Sequence, residues 1–337
     1  GDVPITMAKR KADDAAEHVP ITMAKRTAGA GAGDIKDANN PIRLTRKNLA
    51  LLNSLNGDNN SDDDRNNSGY PESENDSDTM NKLSTTTSGF EARAYENGIL
   101  DSTTSKAPQD LDAIRLHLAR RRSSTQPSEH AHQQYYHNVS DSFNEATASV
   151  FVQVDVMKRH NDLNYNQMNN RAITQIPEEG FNQGLSNPIP DLLEGLKTKR
   201  LPSRIHDHAL HKDCSLALCH FAVEFKRTDG NLYQAGHQAA YDGATMVYAR
   251  NQALVQAKVD AASVQGLGAV VDKAAKETAV ITCATDGKVA EVFAHHFQDG
   301  EYHQNLVARE SLLDYPNRGR ELIRNAQDYA RNKSYEL

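Results

Sequence analysis

Residues 216–226, LALCHFAVEFK, constrain the chain most strongly. A largely apolar run of this length, bounded by polar sequence, reads as a strand buried in a sheet. It ends, however, in Glu224-Phe225-Lys226. On a strand, residues i and i+2 point to the same side, so the two opposite charges share one face. Either the strand emerges into water there, with an ion pair worth under about 1 kcal/mol, or the pair has a chemical task.

Helical and extended patterns alternate around this strand. DLDAIRLHLARRR puts Leu111, Ile114 and Leu118 on one helical face and ends on Arg120 to Arg122, where cations suit the helix dipole. SSTQPSE then breaks the pattern, and Arg120–Ser124 is a candidate phosphorylation or import signal as well as a solvated helix end. SDSFNEATASVFVQVDVMKRH (140–160) fits a strand through its alternating β-branched residues. It also fits a helix, the preferred reading, with a stripe of Phe143, Val150, Val154 and Met157 and a cap at Ser140 or Asp141. Strands are expected at 171–177, 188–196 and 216–226, then a long Ala-rich helix over 232–260. Two strands, 278–287 and 289–298, meet at an Asp-Gly turn, followed by a strand in YHQNLVARESLL and a closing helix over 319–332. The expectation is an α/β (α+β) domain over 109–337, one mixed sheet flanked by helices.

Residues 1–108 read differently. From Thr27 to Ala107 the chain is rich in Asn, Asp, Ser, Gly and Thr, too polar to offset its ordering entropy by burial. A long disordered N-terminal tail is expected, apart from a short helix in IRLTRKNLALLNSL (42–55). VPITMAKR occurs at 3–10 and again at 19–26, too short and too few for a solenoid. AKRK (8–11) is a candidate nuclear-import signal, and Gly1 in place of Met points to a fragment or an artificial start.

The net charge of -7 equals the sum over Gly57–Asp78 alone, where eight acids face one arginine. The remainder is close to neutral, so any nucleic-acid contact must be local rather than a global basic field. Three cysteines, an odd number in a long chain, argue against a disulfide framework and for a reducing, intracellular compartment, and with AKRK (8–11) the expected location is nuclear rather than cytoplasmic. No apolar run reaches the length of a membrane helix, so no membrane partner is expected.

The chemistry converges on the opening strand. Pro190-Asp191 heads one strand and Glu224-Phe225-Lys226 ends another 33 residues later. Two carboxylates from neighbouring strands, with the Phe225 backbone carbonyl, suit a hard cation such as Mg²⁺ or Mn²⁺. Lys226 then lies where it can orient a water or offset phosphate charge. This Asp…Glu-x-Lys pattern resembles the PD-(D/E)XK nuclease superfamily. NPIPDLLEGL, FAVEFK…AGHQAAYDGA and LIRNAQDYA look more closely like a large, mostly uncharacterised fungal family assigned to it, over roughly 110–337. The resemblance implies a restriction-endonuclease-like mixed sheet and a metal-dependent nuclease acting on DNA or RNA. Asp191 and Glu224 match its metal-binding acids and Lys226 its catalytic lysine. Glu145 matches a further acid of the first core helix, and Gln238, with Gln234 a turn earlier, the glutamine after Glu-x-Lys. The alternative is an inactive nuclease-fold protein serving as an interaction or nucleic-acid-binding module.

Two other clusters stand beside this site. HDHALHKDCSLALCH brings His206, His208, His211, Cys214, Cys219 and His220 close in sequence, but in no established zinc spacing. His220 should share the face of Glu224, about 13 Å along the strand. KTKRLPSR (197–204) and Lys226-Arg227 are either phosphate contacts or a solvated loop.

Overall fold

The computed structural model describes residues 82–123, 126–142, 144–160, 162–174, 176, 180–198, 216–261 and 277–335. The helix expected at 42–55, most of KTKRLPSR, and His206, His208, His211 and Cys214 lie outside these residues. Among the described residues there are six α-helices. They are α1 (Phe90–Glu96), α2 (Leu111–Leu118), α3 (Glu129–Ser140), α4 (Glu145–Phe151), α5 (Leu232–Ala261) and α6 (Pro316–Ser334). Seven strands, β1 (Ile99–Leu100), β2 (Tyr165–Asn169), β3 (Leu192–Lys197), β4 (Leu216–Phe225), β5 (Val280–Thr285), β6 (Val289–Gln298) and β7 (Glu301–Ser311), form one mixed sheet. Its order is β1-β7-β6-β5-β4-β3-β2. Strands β4 and β5 run parallel, as do β1 and β7, and the other neighbours are antiparallel.

Strand β4 is interior, and all ten of its residues are buried. Successive side chains feed two separate cores. Phe221, Val223 and Phe225 pack with α2, α3 and α6 through Ile114, Val139, Leu322 and Ile323. Cys219 and Ala222 pack with α1 and α5 through Phe90, Tyr241 and Ala244. The continuous apolar run thus follows from helices covering both faces of the sheet. Burying each of Phe221 and Phe225 contributes about 1.5–3 kcal/mol. Arg121 and Arg122 do not simply end α2 in water. Arg122 pairs with Asp328 of α6 at 2.8 Å and Arg121 with Glu321 at 3.2 Å.

Several expectations need correction. The domain does not start at 109, because Phe90 and Ala94 are buried in the α5-side core and β1 pairs with β7. A handful of apolar residues in a polar stretch is enough when the partner strand lies some 200 residues away. No strand forms among the described residues of 171–177. Asn170 takes a left-handed φ of 51°, which turns the chain out of the sheet after β2. The polar sequence YNQMN suits that edge position.

Residues 145–156 are helical, with a different face and cap from those expected, and Phe143 lies outside the described residues. Asn144 Oδ1 accepts the Thr147 N–H at 2.8 Å, while Ser140 ends α3. A π-helical turn at Val152–Val156, closed by the Met157 N–H on Val152 O, shifts the stripe. Ala148, Val152 and Val156 go inward, leaving Val150 and Val154 exposed.

His220 also departs from simple alternation. Against β3 the register slips twice, between Glu194 and Gly195 and between Gly195 and Leu196. Leu218, at φ 52°, and His220 are the extra residues on β4. The bulge turns His220 to Tyr165 of β2, whose hydroxyl it meets at 3.1 Å, away from Glu224. Only glycine fits opposite this crowding. A Cβ on Gly195 would lie 2.1 Å from Leu216 Cδ2 and 3.2 Å from Ala217 O.

Candidate active site

The pairing of Leu192 with Val223 sets the next position outward as Asp191 opposite Glu224. There Asp191 Oδ2 accepts the Phe225 N–H at 2.7 Å. The Lys226 N–H donates to Thr285 O at 2.8 Å, which keeps the chain beside β5 one residue past the strand. Lys226 Nζ then donates to Phe225 O at 2.9 Å and lies 3.8 Å from Glu224 Oε2 and 3.9 Å from Glu145 Oε2. Glu145 comes from the first turn of α4. Asp191, Glu224, Lys226 and Glu145 therefore meet at the end of β4, where groups from both helical layers converge.

The sequence reading missed Asp242. It projects from α5 and is buried, as is Glu224. Burial, then Asp242 and Asp191, push the Glu224 carboxyl well above its ordinary range, with Lys226 pulling the other way. Burial first, with Asp191 adding to it, raises Asp242 to about 7 against the hydrogen bond to Glu224 and the charge of Lys226. Burial and the charge of Glu145 raise Asp191 to about 6, opposed by the Phe225 N–H and Lys226. Glu224 and Asp242 form a hydrogen-bonded carboxyl pair, which requires one of the two to carry a proton, while Asp242 Oδ2 has no hydrogen-bond partner. A lysine and this proton are how the site offsets carboxylates that burial and mutual repulsion disfavour.

The donor chemistry fits a hard divalent cation: oxygen ligands, excess negative charge and an orphaned buried carboxylate oxygen. Among the described residues, however, no group of three or more His, Cys, Asp or Glu side chains is spaced to hold a metal ion. Asp191 spends Oδ2 on a backbone N–H, and the Lys226 ammonium covers the Phe225 carbonyl. Gln238 stands apart. Its Nε2 donates to Thr85 Oγ1 at 3.0 Å and its Oε1 is buried without a partner. Gln234 serves the start of α5, its N–H donating to Asn231 Oδ1 at 3.2 Å.

A second polar cluster lies on the α6 side of the sheet. The fully buried Glu194 accepts from Tyr165 Oη at 2.5 Å and from Gln327 Nε2 at 2.7 Å, with His160 Nε2 4.0 Å away. The sequence RNAQD belongs here rather than to the Asp191 site. Asn325 bonds Leu118 O and Arg120 O, Gln327 bonds Glu194 and Lys158, and Asp328 accepts from Arg122 and Lys158. It clamps α2, the π-helical turn and β3 to α6.

No helix among the described residues is long and apolar enough to cross a membrane. No family model, no curated protein and no solved structure matches the chain.

Proposed function

We propose that the chain is a metal-dependent nuclease of the PD-(D/E)XK kind, with a restriction-endonuclease-like sheet, cleaving phosphodiester bonds of DNA or RNA. The observation that carries this reading is the Lys226 ammonium held 3.8 Å from Glu224 and 3.9 Å from Glu145, at the end of the strand that faces Asp191. Asp191 and Glu224, with the Phe225 carbonyl, would hold Mg²⁺ or Mn²⁺, which when bound supplies a Lewis acid for the scissile phosphate. Lys226 would orient the attacking water or offset charge developing on the phosphate. Asp242 takes up the proton it shares with Glu224, and Glu145 keeps Lys226 at the mouth of the site. Gln238, the glutamine that the resemblance assigns to this chemistry, bonds Thr85 instead.

A second reading, an interaction protein that keeps this fold without turnover, is favoured by the ammonium seated on the Phe225 carbonyl. The two readings separate in one experiment. Wild type, Asp191→Asn and Lys226→Met are incubated with single- and double-stranded DNA and with RNA, in Mg²⁺, Mn²⁺ or chelator. The nuclease reading expects metal-dependent cleavage by wild type that falls about 100-fold or more in both variants. Equal cleavage by all three overturns it. No cleavage, with no metal-dependent rise in melting temperature, supports the interaction protein.

A further inference from the structure

A cleft of about 180 Å³ opens between α1, β1 and the first turns of α5, lined by Phe90, Glu91, Tyr95, Asp101, Tyr233 and His237 among others. It shares no residue with the Asp191–Glu224–Lys226 cluster and stands independently of the nuclease reading. Its floor is the buried Phe90, while Tyr95 and Tyr233 remain 61% and 60% exposed at the walls. The rings of Tyr233 and His237 meet edge-on, centroids 4.3 Å apart, which holds Tyr233 upright beside the opening. Large aromatic rings left in water around a concavity mark a place where something binds.

The charge at the rim selects what that is. Glu91 accepts from Tyr233 Oη at 3.5 Å and lies 3.7 Å from His237 Nε2. Asp101 is fixed more tightly. Its Oδ1 accepts from the N–H and hydroxyl of both Thr103 and Thr104, at 2.8–3.0 Å. All four bonds fall on one oxygen, leaving Oδ2 for another partner. Although burial raises the Asp101 carboxyl, these bonds hold it below the usual carboxylate range. Among the described residues, no lysine or arginine lines the cleft.

Exposed aromatic rings beside two carboxylates, with no lysine or arginine among the described lining residues, repel phosphates and attract an organic cation. Metal ions prefer a cage of oxygens, whereas the apolar rings and Ala94, Ile99 and Ala240 favour methyl groups around the charge. We propose that this cleft binds an alkylated ammonium group. The source is either a free choline-like molecule or a methylated lysine side chain.

The test is titration of the full chain, followed by NMR and calorimetry. The probes are tetramethylammonium, choline and a short peptide carrying trimethyl-lysine, with sodium chloride and the unmethylated peptide as controls. Saturable binding of the alkylated probes is expected, weakened about tenfold or more in Tyr233→Ala and in Asp101→Asn and kept in Tyr233→Phe. Both weakened positions lie on the rim, so melting temperatures near wild type are expected for the variants. Choline binding as well as the methylated peptide identifies a small-molecule site, and a strong preference for the peptide identifies methyl-lysine. No saturable binding to folded wild type, the same response to sodium, or unchanged affinity in Tyr233→Ala overturns the proposal.

Discussion

Glu194 and His160 are buried side by side, and each opposes the other across the pH scale. Burial pushes the Glu194 carboxyl up to about 7, against hydrogen bonds from Tyr165 and Gln327 that favour its charge. A carboxyl raised in this way stabilises the fold at low pH, and that contribution is lost as pH rises from its ordinary range through about 7. Burial, with help from Lys158 and Arg331, drives His160 down to about 4. Its neutral form supports the fold above the ordinary histidine range, and the support is lost as pH falls towards 4. Glu194→Gln removes only the contribution of the Glu194 carboxyl. Relative to wild type, the variant should gain about 2–3 kcal/mol on moving from pH 5 to pH 8, read from urea midpoints. A difference that does not change with pH would show that Glu194 titrates normally. His160 has its own signature, since Nε2 is buried without a hydrogen-bond partner.

At the scale of elements, α5 is the part whose position matters most. Asp242 reaches Glu224 because the helix lies close on the sheet, and Gly243 permits the approach. An alanine Cβ there would sit 2.2 Å from Nδ1 of the buried His295, which Thr282 holds at 2.7 Å. Gly243→Ala should therefore cost about 1–3 kcal/mol through overpacking. At Gly236 on the same helix the added carbon meets only Phe293 Cζ at 3.8 Å, and alanine should gain up to about 1 kcal/mol from propensity. Guanidinium unfolding of both variants checks the contrast, and equal effects would show that helix propensity, not contact, decides.

The same helix explains what the sequence could reveal. Asp191, Glu224 and Lys226 were readable because strand geometry puts i and i+2 together and the apolar run marked the strand. Asp242 was not, because an acid in a long helix usually faces water, and only packing against β4 turns this one inward. His220 was misread for a related reason. Period-two alternation cannot anticipate the two register slips against β3, which place Leu218 and His220 as extra residues on β4.

Across the whole molecule, mixed α/β architecture and most of the strand and helix succession followed from hydrophobic periodicity. The lower boundary did not, since α1 and β1 are too short to stand out from polar sequence. They are nevertheless part of the core. A chain beginning at residue 109 loses Phe90, Ala94 and Ile99, and should unfold at least about 3 kcal/mol more readily than one beginning at 82. Circular dichroism melts of the two compare them directly, and identical melts would place α1 and β1 outside the cooperative unit.

That first strand also sets a schedule for the chain's birth. Leu100 pairs with His303, so β1 leaves the ribosome long before its neighbour exists. At 5–20 residues per second the wait is roughly 10 to 40 s. Asp191, Glu224 and Asp242 are all synthesised within that interval, on strands and a helix that can associate early. Closing the far edge of the sheet is thus a late, long-range event, and an apolar Ile99-Leu100 pair waits exposed until it happens.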